Sequence, residues 1–453
     1  MADALKVGIA GLGTVGGAVV QLLSKHGGQI ATKTGRAVTV TAVSARDRTR
    51  DRGIDVSAFE WFTDPVEMAR TADVDIFVEL IGGDNGPAEE SVRAALARGI
   101  HVVTANKALL ARHGVELAVL AEANDACLNY EAAVAGGIPI VKTLRESMAS
   151  NDISRIYGIL NGTCNYILTR MEAEGISFQD CLSDAQRLGY AEADPTFDIE
   201  GNDTAHKLAI LTSLAFGTEI SSDDIYVEGI TSITTADIQA ADELGFRIKL
   251  LGVAQRTDTG IEQRVHPTMV PKSSAIARID GVLNAVAVDG DFVGEIVLVG
   301  PGAGGNATAS SVVADLADIA RGDETPVLGM PAAELNSYQR ARMRLHEGGY
   351  YIRLSVFDRP GAFAEIARCM GDAGISLESI VQKRHANKDV PVKFDADLPQ
   401  PVILITHETT EVAIKEALDV IMSKGVVSAK PQLIHIAEHL RLFGNDPHVH
   451  DPV

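Results

Sequence analysis

A strand, a glycine-rich turn and a helix follow one another at the start of the chain, and this arrangement constrains the fold more than any other feature. Lys6 to Ala10 (KVGIA) has the apolar character of a short buried strand, and residues 18–25 have helical periodicity. The turn between them has G-x-G-x-x-G spacing, which allows a tight bend, approach of a pyrophosphate and close helix packing. Its residues are Gly11, Gly13, Thr14, Val15 and Gly16. We therefore expect a dinucleotide site with phosphates at the helix N-terminus. The alternative is a glycine-rich turn of another α/β fold.

The second predicted strand, Val38 to Ser44, ends without the acidic residue that usually holds the ribose of NAD. The chain continues ARDRTRDR, so Arg46 stands just beyond the strand. A guanidinium at this position suits a 2′-phosphate. We therefore predict NADP, or the use of both NADP and NAD, with Arg46 as a cofactor contact. For Arg48 and Arg50 a solvated run of charge is the alternative.

Strands and helices then alternate, which predicts a parallel sheet with helices on both faces. Further strands are predicted at residues 74–81, 101–104 and 128–132, with a helix at 89–98. Ligands bind at the carboxyl ends of the strands in such sheets. Thr104 and Lys107 follow one of these ends, so both are cofactor candidates, and Lys107 is placed to reach the nicotinamide or the reacting oxygen. The alternative for Lys107 is a surface lysine at a helix start.

The stretch from Gly189 to Leu211 holds five acidic residues and a single lysine. Asp203 and Lys207 are four residues apart and share one face of a predicted helix, which Asn202 or Asp203 is expected to cap. A solvated salt bridge explains that pair, but it explains neither the acids upstream nor the apolar run that follows. Carboxylates in a cleft bind an ammonium group, and a partly buried lysine exchanges a proton with a hydroxyl as hydride moves to a nicotinamide. The stretch therefore predicts a catalytic lysine beside an ammonium-binding pocket.

The overall composition disfavours several functions. A net charge of −21 over 453 residues argues against binding to nucleic acid or to an anionic membrane through a basic surface. The four cysteines have no metal-binding or disulfide spacing, which fits a reducing cytosol. The N-terminus does not resemble a signal peptide. We expect a cytoplasmic protein.

Two further units follow the first. Residues 153–160 predict a strand of a new sheet, and in the NGTCNYILTRM that follows, Asn161 and Thr163 have the side chains of a helix cap. From residue 350 onward the predicted order is βαββαβ, with DRPG at 358–361 after the first strand. The tail, residues 438–453, has no apolar periodicity and is predicted to be flexible.

The stretch AQRLGYAEADPTFDIEGNDTAHK, from Ala185 to Lys207, resembles the signature of the homoserine dehydrogenase family. GLGTVG, TANKALL, YEAAVAGGIPI, ILNGTCNYIL and GPGAGG resemble other blocks of that family in the same order, over roughly residues 5–325. The βαββαβ unit resembles an ACT domain. The likeness implies reversible NAD(P)H-dependent reduction of L-aspartate 4-semialdehyde to L-homoserine, in threonine, methionine and isoleucine biosynthesis.

The resemblance also implies roles for single residues. Lys207 is implied as the main acid/base lysine, Asp203 as its partner and Lys107 as a second lysine near the cofactor. The residues implied to bind substrate are Glu192, Asp198, Thr163 and Tyr190. Gly305, in GPGAGG, is implied to touch the cofactor where the chain returns to the nucleotide domain.

A sodium site is implied as well. Its ligands are the Glu131 side chain and the carbonyls of Val134, Gly136 and Ile138, and a hard cation does prefer oxygen ligands. A plain glycine hinge is the alternative for this segment. For the ACT domain the resemblance implies threonine as effector, with a dimerisation module that binds no ligand as the alternative.

The expected fold is therefore α/β, with a Rossmann-type parallel sheet, an α+β substrate and dimerisation domain, and a C-terminal ferredoxin-like ACT domain. The expected divisions are residues 1–132 with about 301–330 for the dinucleotide, 133–300 for substrate, 331–349 as a linker and 350–437 for regulation. A homodimer or homotetramer is expected.

Two other functions remain open at this point. One is an acylating semialdehyde dehydrogenase with Cys164 as thiolate nucleophile, although the sequence does not point to a histidine base. The other is a non-catalytic sensor of NADPH and amino acids, which an acidic chain without a recognisable DNA-binding helix pair disfavours.

Overall fold

The first sheet of the computed structural model, which describes residues 3–341, 347–382 and 399–437, has six parallel strands. Their spatial order is β3-β2-β1-β4-β5-β6. The strands are β1 (Leu5–Ala10), β2 (Val38–Ser44), β3 (Glu60–Phe62), β4 (Ile76–Glu79), β5 (His101–Thr104) and β6 (Leu128–Asn129). This parallel sheet confirms the expected Rossmann-type architecture. The predicted strand at 128–132 is shorter than expected, because a 3₁₀ turn begins at Glu131.

Four helices connect these strands. They are α1 (Thr14–Thr34), α2 (Pro65–Thr71), α3 (Pro87–Ala97) and α4 (Lys107–Ala123). The predicted periodicity from residue 18 marks only part of α1, which continues past Gly27 and Gly28 and is capped by Gly35 with φ of +77°. Asn106 caps the N-terminus of α4, since its side chain accepts a hydrogen bond from the Leu109 N–H. Lys107 is therefore fixed as the first residue of that helix.

The second unit has its own helices. They are α5 (Ile140–Lys142), α6 (Gly162–Glu174), α7 (Phe178–Arg187), α8 (Thr196–Ile199), α9 (Asn202–Phe216) and α10 (Thr235–Glu243). Helix α9 is almost wholly apolar after Lys207, and leucines such as Leu208 and Leu211 are buried in the largest core. Burial of this face against the second sheet holds the helix in place.

Helix α9 begins one residue earlier than predicted. Gly201 is its N-cap, with φ of +90° and no side-chain cap, so neither Asn202 nor Asp203 caps the helix. A β-carbon at Gly201 would lie 3.0 Å from Val265 and 3.1 Å from Val227, which leaves little room for a larger residue. The carboxylate of Asp203 is consequently free for other contacts.

The strands of the second unit form one half of a mixed sheet. They are β7 (Ile153–Ile159), β8 (Tyr226–Val227), β9 (Phe246–Thr257), β10 (Gly260–Pro271), β11 (Leu283–Gly290) and β12 (Gly294–Pro301). After β12 the chain returns to the first unit through α11 (Gly305–Arg321), which begins after Gly304. Val312 and Leu316 of α11 share a core with Val19 and Val20 of α1. A distant part of the sequence therefore packs against the first unit.

The C-terminal unit has the predicted βαββαβ order. Its elements are β13 (Glu347–Phe357), α12 (Ala362–Asp372), β14 (Leu377–Gln382), β15 (Pro399–Thr406), the two-residue β16 (Thr409–Thr410), α13 (Glu411–Ser423) and β17 (Gln432–Ile436). The DRPG turn ends at Gly361, which begins α12 with φ of +91°. The predicted tail, residues 438–453, lies outside the described residues.

The second and third units share one sheet of eleven strands. Strand β17 pairs in parallel with β10, with Thr268 opposite His435 and Met269 opposite Ile436. The main path of the sheet therefore runs β12-β11-β7-β9-β10-β17-β13-β15-β14. Within the described ranges, no helix combines the length and the apolar character needed to cross a bilayer.

A buried carboxylate fastens the same two units together. Asp237 of α10 has no exposed surface and accepts the Tyr351 hydroxyl at 2.9 Å and the Arg353 guanidinium at 2.7 Å, both from β13. It also accepts the Thr234 hydroxyl and backbone N–H in a capping box. Four donors therefore compensate a charge that would be costly to bury alone.

Candidate active site

Asp203 stands at the centre of a buried cluster that joins three elements. Its Oδ2 accepts hydrogen bonds from Lys207 Nζ at 2.7 Å and from Asn161 Nδ2 at 2.8 Å. Its Oδ1 lies 3.1 Å from Lys107 Nζ. Lys207 is on the same helix, Asn161 precedes α6 and Lys107 begins α4. The structure therefore brings together the three residues predicted to be catalytic, and it does so across the boundary between the first two units.

The charges of this cluster support one another. Burial would raise the pKa of Asp203, but the ammonium groups of Lys207 and Lys107 and the hydrogen bonds from Lys207 and Asn161 outweigh that effect. The pKa of Asp203 is thus held well below its ordinary value, and the carboxylate is ionised at neutral pH.

Lys207 has one further fixed contact. Its Nζ donates to the carbonyl of Leu160 at 2.7 Å, and the side chain is only 12% exposed. An ammonium group has three N–H donors, and the two described bonds leave one for a ligand. The lysine is therefore held in one orientation with a proton free to point away from Asp203.

A second carboxylate, that of Asp198, lies beside the first. Asn161 Nδ2 donates to Asp198 Oδ1 at 2.9 Å, and the hydroxyl of Thr163 lies 3.4 Å from Asp198 Oδ2. Burial and the neighbouring charge of Asp203 raise the pKa of Asp198 above its ordinary value. An ammonium ligand next to Asp198 would stabilise the ionised carboxylate and so offset the cost of burying its charge beside Asp203.

The other predicted substrate residues stand further out. Tyr190 is 46% exposed, its ring packs against Tyr166, and only its carbonyl touches the cluster, by accepting the Thr163 hydroxyl at 2.7 Å. Glu192 is exposed, and its carbonyl accepts a bond from Gln186. Within the described residues, the structure does not bring the Tyr190 or Glu192 side chain to Asp203.

The other two acids of this stretch, Asp194 and Glu200, make hydrogen bonds outside the cluster. Asp194 accepts the N–H and hydroxyl of Thr196, and Glu200 accepts the hydroxyl of Thr231. The acids of this stretch therefore have different surroundings: Asp198 and Asp203 belong to the buried cluster, Asp194 stabilises a local turn, and Glu200 bonds a residue 31 positions away.

The glycine turn has the geometry that a dinucleotide needs. A β-carbon at Gly11 would lie 2.5 Å from the Leu80 carbonyl oxygen, and one at Gly16 would lie 2.0 Å from the Gly11 oxygen. A β-carbon at Gly13 would meet nothing within 4 Å, so this side of the turn is open. The open side faces a cleft of about 670 Å³ that Gly11, Gly13 and Arg46 help to line. Thr14 and Val15 begin α1 there, so the unpaired N–H groups of the helix are available to phosphates.

Gly305 lies against this turn. It is the first residue of α11, and a β-carbon on it would approach the Thr14 side chain to 2.9 Å. The N-termini of α1 and α11 are therefore neighbours, and contact between Gly305 and the cofactor stays a prediction.

Thr104 is present at the same sheet edge but in a different role. It is fully buried, and its hydroxyl donates to Glu79 at 2.6 Å. Glu79 in turn accepts the N–H groups of Ile81 and Gly82, which follow β4. The Thr104 hydroxyl therefore stabilises the loop after β4, and its backbone remains at the carboxyl end of β5.

The proposed cation segment is buried and strongly bent. The Glu131 carboxylate accepts the N–H groups of Val141 and Lys142, both at 2.8 Å, and burial raises its pKa. Gly136 has φ of +54°, and its carbonyl accepts the Ser311 hydroxyl. The described bonds use one lone pair of each Glu131 oxygen and one of the Gly136 carbonyl, so further lone pairs remain for a cation. The donor set of one carboxylate and backbone carbonyls therefore fits a hard ion.

Cys164 lacks the features of a nucleophile. It is completely buried, and its thiol donates to the Asp198 carbonyl at 3.2 Å. Burial and the nearby carboxylates raise its pKa well above the ordinary value. A thiolate is therefore disfavoured at this position.

Asn161 was assigned only a capping role by its sequence context. The side-chain oxygen does accept the Cys164 N–H, which confirms the cap, but the amide N–H groups also bridge Asp198 and Asp203. The Leu160 carbonyl was not foreseen at all. The available signal for both Leu160 and Asn161 is their position directly after the carboxyl end of β7.

A cleft at the glycine turn and a pair of half-buried lysines joined by the buried Asp203 are the features of an NAD(P)-dependent oxidoreductase. The family description "Homoserine dehydrogenase" matches residues 139–317, its NAD binding domain matches residues 11–131, and an ACT domain matches residues 350–421. The homoserine dehydrogenase of Pseudomonas aeruginosa is 45% identical over 91% of this chain and 94% of its own length. The chain belongs to the homoserine dehydrogenase family.

Other relatives agree with this assignment. The homoserine dehydrogenase of Mycobacterium tuberculosis (strain H37Rv) is 38% identical over 96% of this chain and 98% of its own length. The crystal structure of the Thiobacillus denitrificans enzyme has a TM-score of 0.88 and 42% identity, covering 96% of this chain and 98% of that one. A hyperthermophilic archaeal homoserine dehydrogenase in complex with NADPH has a TM-score of 0.62 and 27% identity, covering 71% of this chain and 99% of that one.

Proposed function

We propose that this protein reversibly reduces L-aspartate 4-semialdehyde to L-homoserine with NAD(P)H. The observation that supports this most directly is the Lys207–Asp203–Lys107 cluster at the boundary between the nucleotide and substrate units. A bound nicotinamide supplies the hydride in one direction and accepts it in the other.

Lys207 donates or accepts the proton whose transfer accompanies that of the hydride. In reduction its ammonium group donates a proton to the aldehyde oxygen, and in oxidation the neutral amine takes the hydroxyl proton. The bonds from Lys207 to Asp203 and to the Leu160 carbonyl fix the direction of the remaining N–H. Ionised Asp203 offsets the charge of protonated Lys207. Lys107 is proposed as the second lysine, on the cofactor side of Asp203.

Asp198 is proposed to recognise the substrate ammonium group. Its ionised form is disfavoured by burial and by Asp203, so it gains from a positive ligand. Thr163 is proposed as a neighbouring contact. Glu192 and Tyr190 are exposed, and we propose that they reach a bound substrate from the outside.

NADP(H) is the proposed preferred cofactor, with NAD(H) as a second. Gly11, Gly13, Thr14, Val15, Gly16 and Gly305 would surround the pyrophosphate. The absence of an acidic residue after Ser44 and the presence of Arg46 in the cleft support a 2′-phosphorylated ribose. The backbone of Thr104 is proposed to lie near the nicotinamide.

A sodium ion held by Glu131, Val134, Gly136 and Ile138 is proposed as a structural cation. It would stabilise the bend that leads into the substrate unit. Activity in sodium buffer is then expected to exceed activity in a buffer of tetramethylammonium alone. Equal thermal stability and activity in the two buffers would contradict the cation site.

Regulation and assembly complete the proposal. The ACT domain is proposed to bind threonine and inhibit the enzyme, and the substrate unit to form a homodimer or homotetramer. The proposed divisions are those expected from the sequence, with 1–132 and about 301–330 for cofactor and 133–300 for substrate. The pathway is proposed to be threonine, methionine and isoleucine biosynthesis in the cytoplasm.

A spectrophotometric assay with L-homoserine and NADP or NAD, with and without threonine, tests this function. We expect nicotinamide reduction with homoserine and a lower rate with threonine. An acylating reaction through Cys164 would require phosphate or arsenate and would be abolished by Cys164→Ser, whereas we expect turnover without either anion and activity in that variant. No turnover of homoserine with either cofactor would overturn the proposal and would favour the alternative of a non-catalytic sensor of NADPH and amino acids.

A further inference from the structure

Residues 326–341, here called the strap, follow α11 and lead toward the C-terminal unit across the ends of two helices. One of these helices is α4, which begins with Lys107. The other is α9, which carries Asp203 and Lys207 in its first two turns. The strap lies at the opposite, C-terminal ends of both helices, so it is connected to the candidate active site through their whole length.

Glu122 joins the strap to the end of α4. Both oxygens of its carboxylate accept the Ala332 N–H of the strap, at 3.0 and 3.2 Å. A carboxylate in the last turn of a helix is unfavourable on its own, because it meets the negative end of the helix dipole. The bond to the strap therefore gives this exposed glutamate a structural reason for its position.

Asn336 joins the strap to the end of α9. Its backbone N–H and its side-chain amide both donate to the carbonyl of Gly217, at 3.0 and 3.3 Å, and Gly217 is the C-cap of α9. The Asn336 carbonyl in turn accepts the Glu219 N–H at 2.9 Å. The two helix ends are thus bonded to neighbouring parts of one segment, since Ala332 and Asn336 are one short turn of chain apart.

Apolar side chains hold the strap against the same helices. Three strap residues are buried and share a core with the last two turns of α4 and α9. The strap residues are Val327, Leu328 and Ala332, and the helix residues of that core include Leu117, Ala121, Leu211 and Leu214. Further along, the strap is bonded to β10, where the Ile261 N–H donates to the Gln339 carbonyl at 2.7 Å. The strap is therefore fixed both by packing and by hydrogen bonds.

The two helices are matched in length and direction between the strap and the active site. Lys107 to Glu122 and Asp203 to Gly217 each correspond to about 20 Å along a helix axis. At one end Lys107 and Asp203 form an ion pair at 3.1 Å, and at the other end the strap bridges the helices. The helices consequently run side by side in the same direction and are joined at both ends.

We propose that the strap sets the separation of α4 and α9 and thereby keeps Lys107 within ion-pair distance of Asp203 during the reaction. Glu122 and Asn336 are positioning residues that act through these helices. An α-helix is hydrogen-bonded from turn to turn, so a displacement of one end is passed to the other. A misplacement of about 1 Å at a reacting centre is enough to lower a rate by about 100-fold. The inference rests on the proposed function for the reaction that it concerns.

Kinetics of the full-length enzyme test this role. Glu122→Ala combined with Asn336→Ala removes a side-chain bond from each helix end, and both residues are exposed, so the fold is expected to survive. We expect kcat for homoserine oxidation to fall about 10-fold while KM for homoserine and NADP changes less than about 2-fold. Asn336→Ala combined with Glu122→Gln keeps an oxygen for the strap and should restore part of the rate.

The control is Glu90→Ala, which removes an exposed glutamate of α3 and should behave like the wild type. A lower melting temperature with unchanged kcat in the double variant would show that the strap only supports the fold, and would overturn the proposal.

The Lys107→Ala background shows whether the effect passes through Lys107. In that background, loss of the Glu122 and Asn336 side chains should lower kcat by less than about 2-fold, because the group that the strap holds is already absent. An equal loss with and without Lys107 would mean that the strap acts elsewhere, against the proposal.

Hydrogen exchange detects the same displacement without turnover. The N–H groups of Leu109 and Leu110 bond to Asn106 at the start of α4, the end remote from the strap. In the double variant these amides should exchange at least about 5-fold faster than in the wild type. Faster exchange confined to residues 117–123 would show that only the near end of α4 has loosened, which contradicts the proposal.

Failure of the strap and failure of the proposed enzyme activity are distinguishable. Faster exchange at Leu109 and Leu110 in the double variant, without homoserine turnover in the wild type, would uphold the connection and reject the function. Turnover in the wild type, with wild-type kcat and exchange in the double variant, would uphold the function and reject the strap.

Discussion

The ammonium group of Lys107 lies 3.1 Å from the carboxylate of Asp203, and this ion pair connects the first residue of α4 to helix α9 of the neighbouring unit. The same carboxylate takes Lys207 at 2.7 Å. One acid therefore sets the distance between a lysine on the cofactor side and a lysine on the substrate side. Any change of this acid is expected to act on both.

Replacement of Lys207 by alanine is expected to lower kcat for homoserine oxidation by about 10²- to 10⁴-fold, the usual contribution of a general acid or base. NADPH affinity, measured by fluorescence titration, should stay nearly intact because the glycine turn is untouched. Lys33→Ala, at an exposed lysine of α1, is the matched control and should behave like the wild type. A comparable loss of NADPH affinity and of turnover would mean that Lys207 is structural.

Asp203→Asn is expected to destabilise the protein by about 3 kcal/mol, because two ammonium groups would be left without their buried counter-charge. The folded pKa of Asp203 lies below its ordinary value, so its contribution is fully present above about pH 4 and is lost as pH falls further. Urea denaturation at pH 7 and at about pH 3 measures both effects, and the difference between variant and wild type should shrink at the lower pH. A difference that grows on acidification would contradict this assignment.

The KM for homoserine is expected to rise as the medium becomes acidic, through the pKa of Asp198. That pKa is raised above the ordinary value by burial and by Asp203, so protonation begins at a higher pH than for an exposed aspartate. The protonated acid no longer pairs with the substrate ammonium. Asp198→Asn should raise KM about 10- to 100-fold, as for loss of a hydrogen bond to a charged group, and should flatten its pH dependence. An unaltered KM profile in this variant would exclude Asp198 as the ammonium contact.

Arg353→Met is expected to uncouple the ACT domain from the rest of the enzyme. It leaves Asp237, which has no exposed surface, without its guanidinium partner, and the cost is about 3 kcal/mol. Inhibition by threonine should weaken while kcat in its absence stays near that of the wild type. Arg368→Gln removes two exposed ion pairs, to Glu365 and Asp372, within the same domain and is the control, with little expected effect. Full threonine inhibition in Arg353→Met would show that the signal takes another path.

The sequence allowed the nucleotide site to be predicted because its parts are local. The strand, the three glycines and the helix are contiguous; Gly11 and Gly16 have no room for a β-carbon, and Gly13 keeps one side of the turn open. Lys207 and Asp203 were found in the same way, since four residues along a helix bring two side chains together. The βαββαβ order was also accessible from local periodicity.

What the sequence could not provide were contacts between distant segments. Asn161 reads as a cap, and only the fold shows that its amide reaches acids 37 and 42 residues away. Arg52 is one of four similar arginines until its distance to Leu12 is known. The start of α9 was misjudged because good capping residues at 202 and 203 are outweighed by a glycine whose positive φ fits the approach of β8 and β10.

The pairing of β10 with β17 has a practical consequence for anyone who wishes to free the enzyme from its regulator. Deleting the C-terminal unit would leave Thr268 and Met269 of β10 without their main-chain partners. It would thereby expose an unpaired strand edge, to which strands of other molecules can pair. A truncated enzyme without the C-terminal unit would thus lose feedback inhibition but would be prone to aggregate. Single substitutions at the interface between the two units keep the β10–β17 backbone pairing and are therefore the better way to remove regulation.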